Sequence, residues 1–216
     1  ILFTPFNTED ETVTTYLVDE NFNEINNWNH LYGAIPASMG YLMEDSTLWY
    51  PSQVQHPTMQ SGGVGGRIQH LDWNNNILWE YIVSDYSYQH HHDIEPLPNG
   101  NILILAWERK TLQQALEMGR EIIETPIQQM WSEVVFEIDP IGIDSANIVW
   151  EWHLWDHLIQ DINQNLNNYG IISEHPELLN INLGEVGLGM SAVGALNGDW
   201  IHFNSIHYNH NLDQII

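Results

Sequence analysis

The sequence contains twelve histidines and no cysteine, so imidazole is the side chain with which its chemistry has to be considered first. Three histidines are consecutive, His90-His91-His92, and Asp93 follows them. Imidazole can act near neutral pH as an acid, a base, a nucleophile or a metal ligand. Because side chains alternate along a strand, the run predicts His90 and His92 on one face and His91 and Asp93 on the other. We expect one of these histidines to enter a central pocket; a polar strand edge bonded to loops is the structural alternative.

A second candidate is the segment Asp199-Trp200-Ile201-His202-Phe203-Asn204. Interpreted as a strand, it places Trp200, His202 and Asn204 on one face. A histidine two residues before an asparagine can then present two hydrogen-bonding groups to one ligand. A buried polar pair that holds neighbouring sheets together is the alternative.

Two further stretches favour structural roles. Asp156 and His157 are adjacent in an aromatic-rich segment, and adjacent residues rarely form a productive catalytic hydrogen bond. The glycine-rich stretch 61–66 does not match a phosphate-binding loop. We interpret it as the flexible approach to a hairpin.

The elements that must position these residues follow a repeated pattern. An apolar strand ends near an aspartate, a polar turn follows, and a second strand contains tryptophan. Copies span 15–28, 67–81 and 134–152. A second kind of hairpin is predicted at 40–49, 94–105 and 192–206. The Asn99-Gly100 turn between apolar runs is the strongest of these hairpin signals.

Two hairpins per unit make one four-stranded antiparallel sheet, and the units recur at roughly 50–70 residues. This period favours an all-β fold, a β-propeller with about three blades present in an incomplete ring. A sandwich of similar strands is the alternative. The predicted organisation of residues 1–216 is a partial blade (1–33), a blade (34–84), a blade with a helical insertion at 110–123 (85–153), an insertion with a helical turn at 176–179 (154–199), and the start of another blade (200–216).

The charge balance excludes several classes of partner. Acidic residues number 29 against four lysines and arginines, for a formal net charge of −25. Nucleic acid and anionic membrane surfaces both require clustered basic residues, so neither is expected as a partner. Without cysteine, disulfides and thiolate chemistry are excluded. No apolar run reaches the roughly 18 residues of a membrane span. Ile1 and Ile216 both fall within predicted strands, so we expect both ends to be cuts.

Taken in order, these segments resemble the arylsulfotransferase family. The segments that carry the resemblance are 16–19, 72–81, 91–101, 148–161, 174–178 and 199–206. The resemblance implies a six-bladed propeller with a central active site, located outside the cytoplasm and without a cofactor or metal. It also implies transfer of a sulfo group from an aryl sulfate to a phenol through a sulfated histidine.

The resemblance also assigns residues. It implies that His202 and Asn204 contact the sulfo group and that His92 joins them as a catalytic residue. His91, Trp200 and His157 are the candidates for substrate binding.

The family pattern continues with an arginine after the His-x-Asn strand and, later, a nucleophilic histidine. The chain ends before either. We therefore expect the nucleophile outside 1–216, an inactive fragment, and remaining blades supplied by further sequence, by another chain or by a second copy. A non-catalytic extracellular propeller used for binding or assembly is the alternative function. A metal-dependent site at the histidine run is a third hypothesis.

Overall fold

The computed structural model describes residues 1–5, 13–30, 34–123, 127–187 and 197–216. Its regular structure is nearly all strand, arranged mainly in antiparallel sheets, which confirms the predicted all-β class. Within these ranges, no helix is long and apolar enough to cross a membrane.

The first sheet has three strands in sequential order, β1 (Leu2–Phe3), β2 (Val13–Val18) and β3 (Glu24–His30). Its main turn is built by Asp19, whose carboxylate accepts the backbone N–H groups of Asn21 and Asn23 at 2.8 Å each. This is the local bonding that makes aspartate favourable in turns.

The second and third sheets each have four antiparallel strands in sequential order. The strands of the second sheet are β4 (Tyr41–Leu42), β5 (Leu48–Gln53), β6 (Gly66–Leu71) and β7 (Ile77–Ile82). Those of the third sheet are β8 (Tyr88–Pro96), β9 (Ile102–Thr111), β10 (Gln129–Ile141) and β11 (Ser145–His153). The predicted hairpins at 40–49, 67–81, 94–105 and 134–152 are therefore confirmed.

The second and third sheets pack on each other through one apolar core. Its buried members include Ile68 and Trp79 from one sheet and Ile94, Ile104 and Phe136 from the other. All five side chains are nearly or fully removed from water. Burial of this kind is the main favourable term in folding, so this interface fixes the position of β8 and its histidines.

The repeated tryptophans connect one sheet to the next. The indole N–H of Trp28 donates to the carbonyl of Asp72 at 2.8 Å, and that of Trp79 donates to the carbonyl of Ser145 at 2.8 Å. Each tryptophan thus reaches the last hairpin of the following sheet. These two hydrogen bonds link neighbouring sheets, which explains why tryptophan recurs in the pattern.

The predicted helix at 110–123 is wrong in its extent. Strand β9 runs to Thr111, and helix α1 spans only Leu112–Glu117, with Thr111 and Gln114 forming a capping box. Two 3₁₀ helices follow, Leu154–His157 and Ile172–Glu174. The second precedes the predicted helical turn at 176–179. Strands β12 (Leu158–Ile159) and β13 (Leu179–Asn180) pair in parallel beside them.

The last strands are the short pair β14 (Tyr208–Asn209) and β15 (Gln214–Ile215). The strand predicted within 192–206 is wrong where the structure describes it, because 200–207 form no strand; residues 192–196 lie outside the described ranges. The backbone N–H groups of this region donate to side-chain carboxylates and not to the backbone of a neighbouring strand. Glu133 accepts the N–H of Phe203 at 3.1 Å, Asp93 that of Ile206 at 3.2 Å, and Glu95 that of Tyr208 at 3.4 Å.

Replacing Ile104 with alanine should destabilise the protein by about 2–5 kcal/mol, since it opens a cavity in the interface between the two larger sheets. Ile143 is 70% exposed in the turn before β11 and serves as the matched control. Its replacement with alanine should change the free energy of unfolding by about 0.5 kcal/mol or less. Urea unfolding of both variants measures the difference; equal losses would contradict the assigned core.

Candidate active site

The consecutive histidines of β8 lie in a bulge. His90 pairs with Ala106 and Ile94 with Ile104, so three residues lie opposite Leu105 alone. His92 has a φ of 52°, in the left-handed region. Bulges of this kind redirect side chains, and this one turns the rings of His91 and His92 towards each other.

The predicted alternation is therefore wrong. His91 and His92 are neighbours, with their Nδ1 atoms 3.1 Å apart. His90 is fully buried elsewhere, and its Nδ1 accepts the backbone N–H of Gly66 at 2.9 Å. The strict two-residue period holds only for an unbroken strand, and the bulge removes it.

His202 completes a group of three imidazoles, which we call the histidine cluster: His91, His92 and His202. The ring centroid of His202 lies 4.9 Å from that of His92 and 5.6 Å from that of His91. One ring nitrogen from each residue lies within 4.8 Å of the other two. Two of these histidines come from β8 and the third from the irregular segment 110 residues later, so only the tertiary fold brings them together.

Trp107 forms an apolar wall of the cluster. Its ring stacks on His91 with 4.1 Å between centroids and 5° between planes, and it contacts His202 edge-on at 5.6 Å. Trp107 is fully buried on β9. The wall keeps water from one side of the cluster and fixes the plane of the His91 ring.

Two glycines of the stretch 61–66 make room for imidazoles. A Cβ atom on Gly63 would lie 2.0 Å from the His92 ring, and one on Gly65 would lie 2.2 Å from the His90 ring. The backbone of this stretch also pairs with the bulge, since the N–H of His92 donates to the carbonyl of Gly63 at 2.7 Å. Close packing against the histidines, rather than a flexible approach to a hairpin, is the role of these glycines.

Glu133 fixes the position of His91 through a buried hydrogen bond. Its Oε2 lies 2.8 Å from Nε2 of His91, and both side chains are fully buried. Burial raises the pKa of Glu133 well above its usual value and lowers the pKa of His91 well below its own. Burial disfavours both charged forms, so it favours the neutral, hydrogen-bonded form of this pair.

Asp199 gives His202 an electrostatic environment that differs from that of His91. Its Oδ2 lies 2.5 Å from Nδ1 of His202 and accepts the hydroxyl of Ser61 at 2.6 Å. The hydrogen bond to Asp199 raises the pKa of His202, against the opposing effect of partial burial. A nearby carboxylate favours the imidazolium form, so His202 is the member of the cluster most readily protonated.

His92 lies between these two environments. Burial, followed by the nearby imidazoles of His91 and His202, lowers its pKa to about 4. His92 is therefore neutral at pH 7. The cluster thus combines two neutral imidazoles with one whose protonated form is stabilised.

A family model described as Arylsulfotransferase (ASST) matches residues 41–216. The chain belongs to the arylsulfotransferase family. This confirms the resemblance proposed from the sequence. Neither the comparison with curated proteins nor that with solved structures returned a match. The matched range includes the second and third sheets and the whole histidine cluster, so the arylsulfotransferase assignment covers the elements that build the site.

Three candidates for the arylsulfotransferase site lie elsewhere or are used locally. Asn204 is exposed, and its amide donates to the carbonyl of His202 at 3.0 Å. Trp200 is buried in a different apolar core and donates to the carbonyl of Leu183 at 2.6 Å. His157 stacks on Trp152 of the edge strand β11, with 4.9 Å between ring centroids. The expected shared face of Trp200, His202 and Asn204 is absent because 200–207 is not a strand.

Sequence reasoning missed three residues that define the site. Glu133 lies within an apolar run of β10 and Trp107 within one of β9, while the spacing of Asp199 in the sequence indicates no role for it. A carboxylate placed among residues of a buried strand is itself a signal, since Glu is rarely fully buried without a partner.

Replacing Gly63 with alanine should destabilise the protein by about 1–3 kcal/mol beyond the backbone strain, because the new methyl group overlaps the His92 ring. Gly142 is the matched control, since it also has a positive φ but no atom within 4 Å of an added Cβ. Replacing Gly142 with alanine should cost only the backbone strain of a positive φ, about 1–2 kcal/mol. Chemical unfolding compares the two variants. Equal losses would show that His92 does not pack where the structure places it.

Replacing Asp199 with asparagine should make the protein's stability less dependent on pH. The pKa of His202 is higher in the folded protein than the unfolded value of 6.5, so its pairing with Asp199 stabilises the fold below pH 6.5, and this contribution is lost as the pH rises through the folded pKa. The stability difference between wild type and Asp199→Asn should therefore be larger at about pH 6 than at about pH 9.

The exposed pair of His175 and Glu177, 2.9 Å apart, supplies the control for that measurement. Exposed pairs contribute little to stability, so Glu177→Gln should lower it equally little at both pH values. If Asp199→Asn behaves in the same way, the carboxylate does not hold His202 in its protonated form.

Proposed function

We propose that this chain forms the sulfo-binding part of an arylsulfotransferase, which transfers a sulfo group from an aryl sulfate to a phenol. The observation that carries the proposal is the histidine cluster, in which neutral His91 and His92 lie beside His202 and its carboxylate. Positioned donors in a site shielded from water stabilise negative charge far better than water does. A sulfo group is an anion with oxygen acceptors only, which suits such a site.

The hydrogen bonds of the cluster predict which nitrogens can donate to the sulfo group. Protonated Glu133 donates to Nε2 of His91, so Nδ1–H of His91 donates to Nδ1 of His92. The remaining proton of neutral His92 then lies on Nε2. His202 uses Nδ1–H for Asp199 and also bonds the backbone of Gly62, and its Nε2–H is the second proposed donor. These two N–H groups, one of them carrying positive charge, are the proposed sulfo-binding groups.

His202 also serves in this proposal as the acid and base of a two-step reaction. In the first step a nucleophilic histidine attacks sulfur, the bond between sulfur and the aryl oxygen breaks, and the departing phenolate takes the proton of His202. In the second step neutral His202 takes the proton of the acceptor phenol as its oxygen attacks the sulfohistidine. A histidine with a raised pKa can give and recover a proton in this way.

The nucleophile is proposed to be a further histidine. His91 is fully buried with both nitrogens engaged, the hydrogen bond to Asp199 favours the protonated form of His202, and the lone pair of His92 on Nδ1 is proposed to accept from His91. A nucleophilic imidazole needs an accessible lone pair. The resemblance implies the same division of roles, with a nucleophile beyond 1–216.

We propose the same architecture that the resemblance implies, with the sheets at 41–82 and 88–153 as successive blades of a six-bladed ring outside the cytoplasm. An apolar groove of about 940 Å³ between the third sheet and the segment 203–216 supports this; residues that line it include Leu105, Val135 and Trp150. Further blades, from this chain or another copy, would cover it. Residues 1–33 and 200–216 would belong to the neighbouring blades.

Replacing His202 with glutamine should lower sulfo transfer from phenyl sulfate to a phenol by about 10²–10⁴-fold, the range for loss of a general acid. The loss should be much smaller with 4-nitrophenyl sulfate, because its leaving phenolate is weakly basic and needs no proton. His175→Gln, in the exposed histidine–carboxylate pair, should transfer at the wild-type rate. Steady-state rates of the full-length gene product measure both effects.

Two results would contradict the proposal. Equal losses for both donors would remove His202 from proton transfer, and absence of transfer by wild type from any aryl sulfate near neutral pH would favour the non-catalytic binding module.

A further inference from the structure

We propose that the histidine cluster is also a binding site for a Zn²⁺ ion, with His91, His92 and His202 as its protein ligands. This inference rests on the geometry of the three imidazoles and their carboxylates, not on sulfo transfer. It identifies a second kind of ligand for the site, a divalent transition metal, besides an anion.

The spacing of the ring nitrogens suits a small metal ion. A tetrahedral zinc site with Zn–N distances of about 2.0–2.1 Å places its nitrogens about 3.3 Å apart. The Nδ1 atoms of His91 and His92 are already 3.1 Å apart. One ring nitrogen from each of the three histidines lies within 4.8 Å of the other two. His202 is half-buried on an irregular segment, so its ring can close the remaining distance by a side-chain rotation.

Two carboxylates orient the ligands from outside, as in known zinc sites. Metal-binding histidines almost always donate their second ring N–H to a carboxylate, a carbonyl or water. Glu133 lies at Nε2 of His91, which leaves Nδ1 to face the cluster, and Asp199 lies at Nδ1 of His202, which leaves Nε2. In the zinc-bound state the shared proton of each pair lies on the histidine.

The site has the composition of an open zinc centre. Three imidazoles suit Zn²⁺ and its neighbours in the first transition row, and three protein ligands leave the fourth position for water. Trp107 closes one side of the cluster, whereas His92 and His202 are only half-buried. Water can therefore reach the fourth position from the side of these two rings.

Zinc and a sulfo group would compete for the cluster. The lone pair with which His202 would bind zinc lies on Nε2, the same atom whose proton is proposed to donate to the sulfo oxygens. Zn²⁺ should therefore inhibit transfer competitively with the aryl sulfate. This one consequence rests on the proposed function, whereas the binding of zinc does not.

The test measures metal binding by untagged protein in the absence of any sulfate ester. Titration with Co²⁺ should give the strong visible absorption of a tetrahedral ion, saturating at one equivalent and displaced by Zn²⁺. Isothermal titration with Zn²⁺ should give the same stoichiometry. His202→Gln should lose at least about tenfold in affinity, and His175→Gln, the exposed control with its own carboxylate partner, should bind like wild type.

The carboxylates give a second, independent readout. Glu133→Gln and Asp199→Asn should each weaken Zn²⁺ binding by about 10–100-fold, the usual effect of removing an outer partner of a ligating histidine. His202 and Asp199 lie outside the strands, so circular dichroism should show folded variants. Absence of stoichiometric binding, or equal binding by wild type and His202→Gln, would overturn the zinc site while leaving the transferase assay unaffected.

Discussion

The whole site depends on one buried carboxyl group. Glu133 lies on the central strand β10 with no exposure to water, and it bonds both the ring of His91 on β8 and the backbone of Phe203. A buried carboxyl group without partners would cost several kcal/mol. Because both bonds are needed to offset that cost, the bulge of β8 and the irregular segment 200–207 lie against the same carboxyl group. Their proximity forms the histidine cluster.

The environments of the three imidazoles differ because their partners differ. Burial dominates at His91 and His92 and keeps both neutral, whereas the hydrogen bond that His202 donates to Asp199 dominates at half-buried His202 and favours its charged form. Titratable groups with pKa values moved apart are the usual basis for assigning acid and base roles. The same lone pairs and protons allow the cluster to take an anion or a metal ion, depending on which ring nitrogens carry protons.

Much of the fold could be predicted from the sequence, since apolar runs separated by aspartate and asparagine turns define hairpins locally. The Asn99-Gly100 and Asp72 turns are examples, and the structure confirms them. His92 and His202 could be named as candidates from the sequence alone, because the run of three histidines and the His-x-Asn spacing are both local patterns. Their surroundings could not be predicted, because the bulge at His91–Asp93 breaks the alternation and the carboxylates that bind 203–208 come from positions about 70 and 110 residues away in the chain.

The central claim is that two neutral imidazoles and one imidazolium meet at a single point. Long-range proton–nitrogen NMR spectra, with the resonances assigned by single substitutions, report the protonation of each ring nitrogen directly. At pH 7 we expect His202 to carry protons on both nitrogens, while His91 and His92 carry one proton each. A protonated His92, or a neutral His202 that titrates below its ordinary pKa, would contradict it.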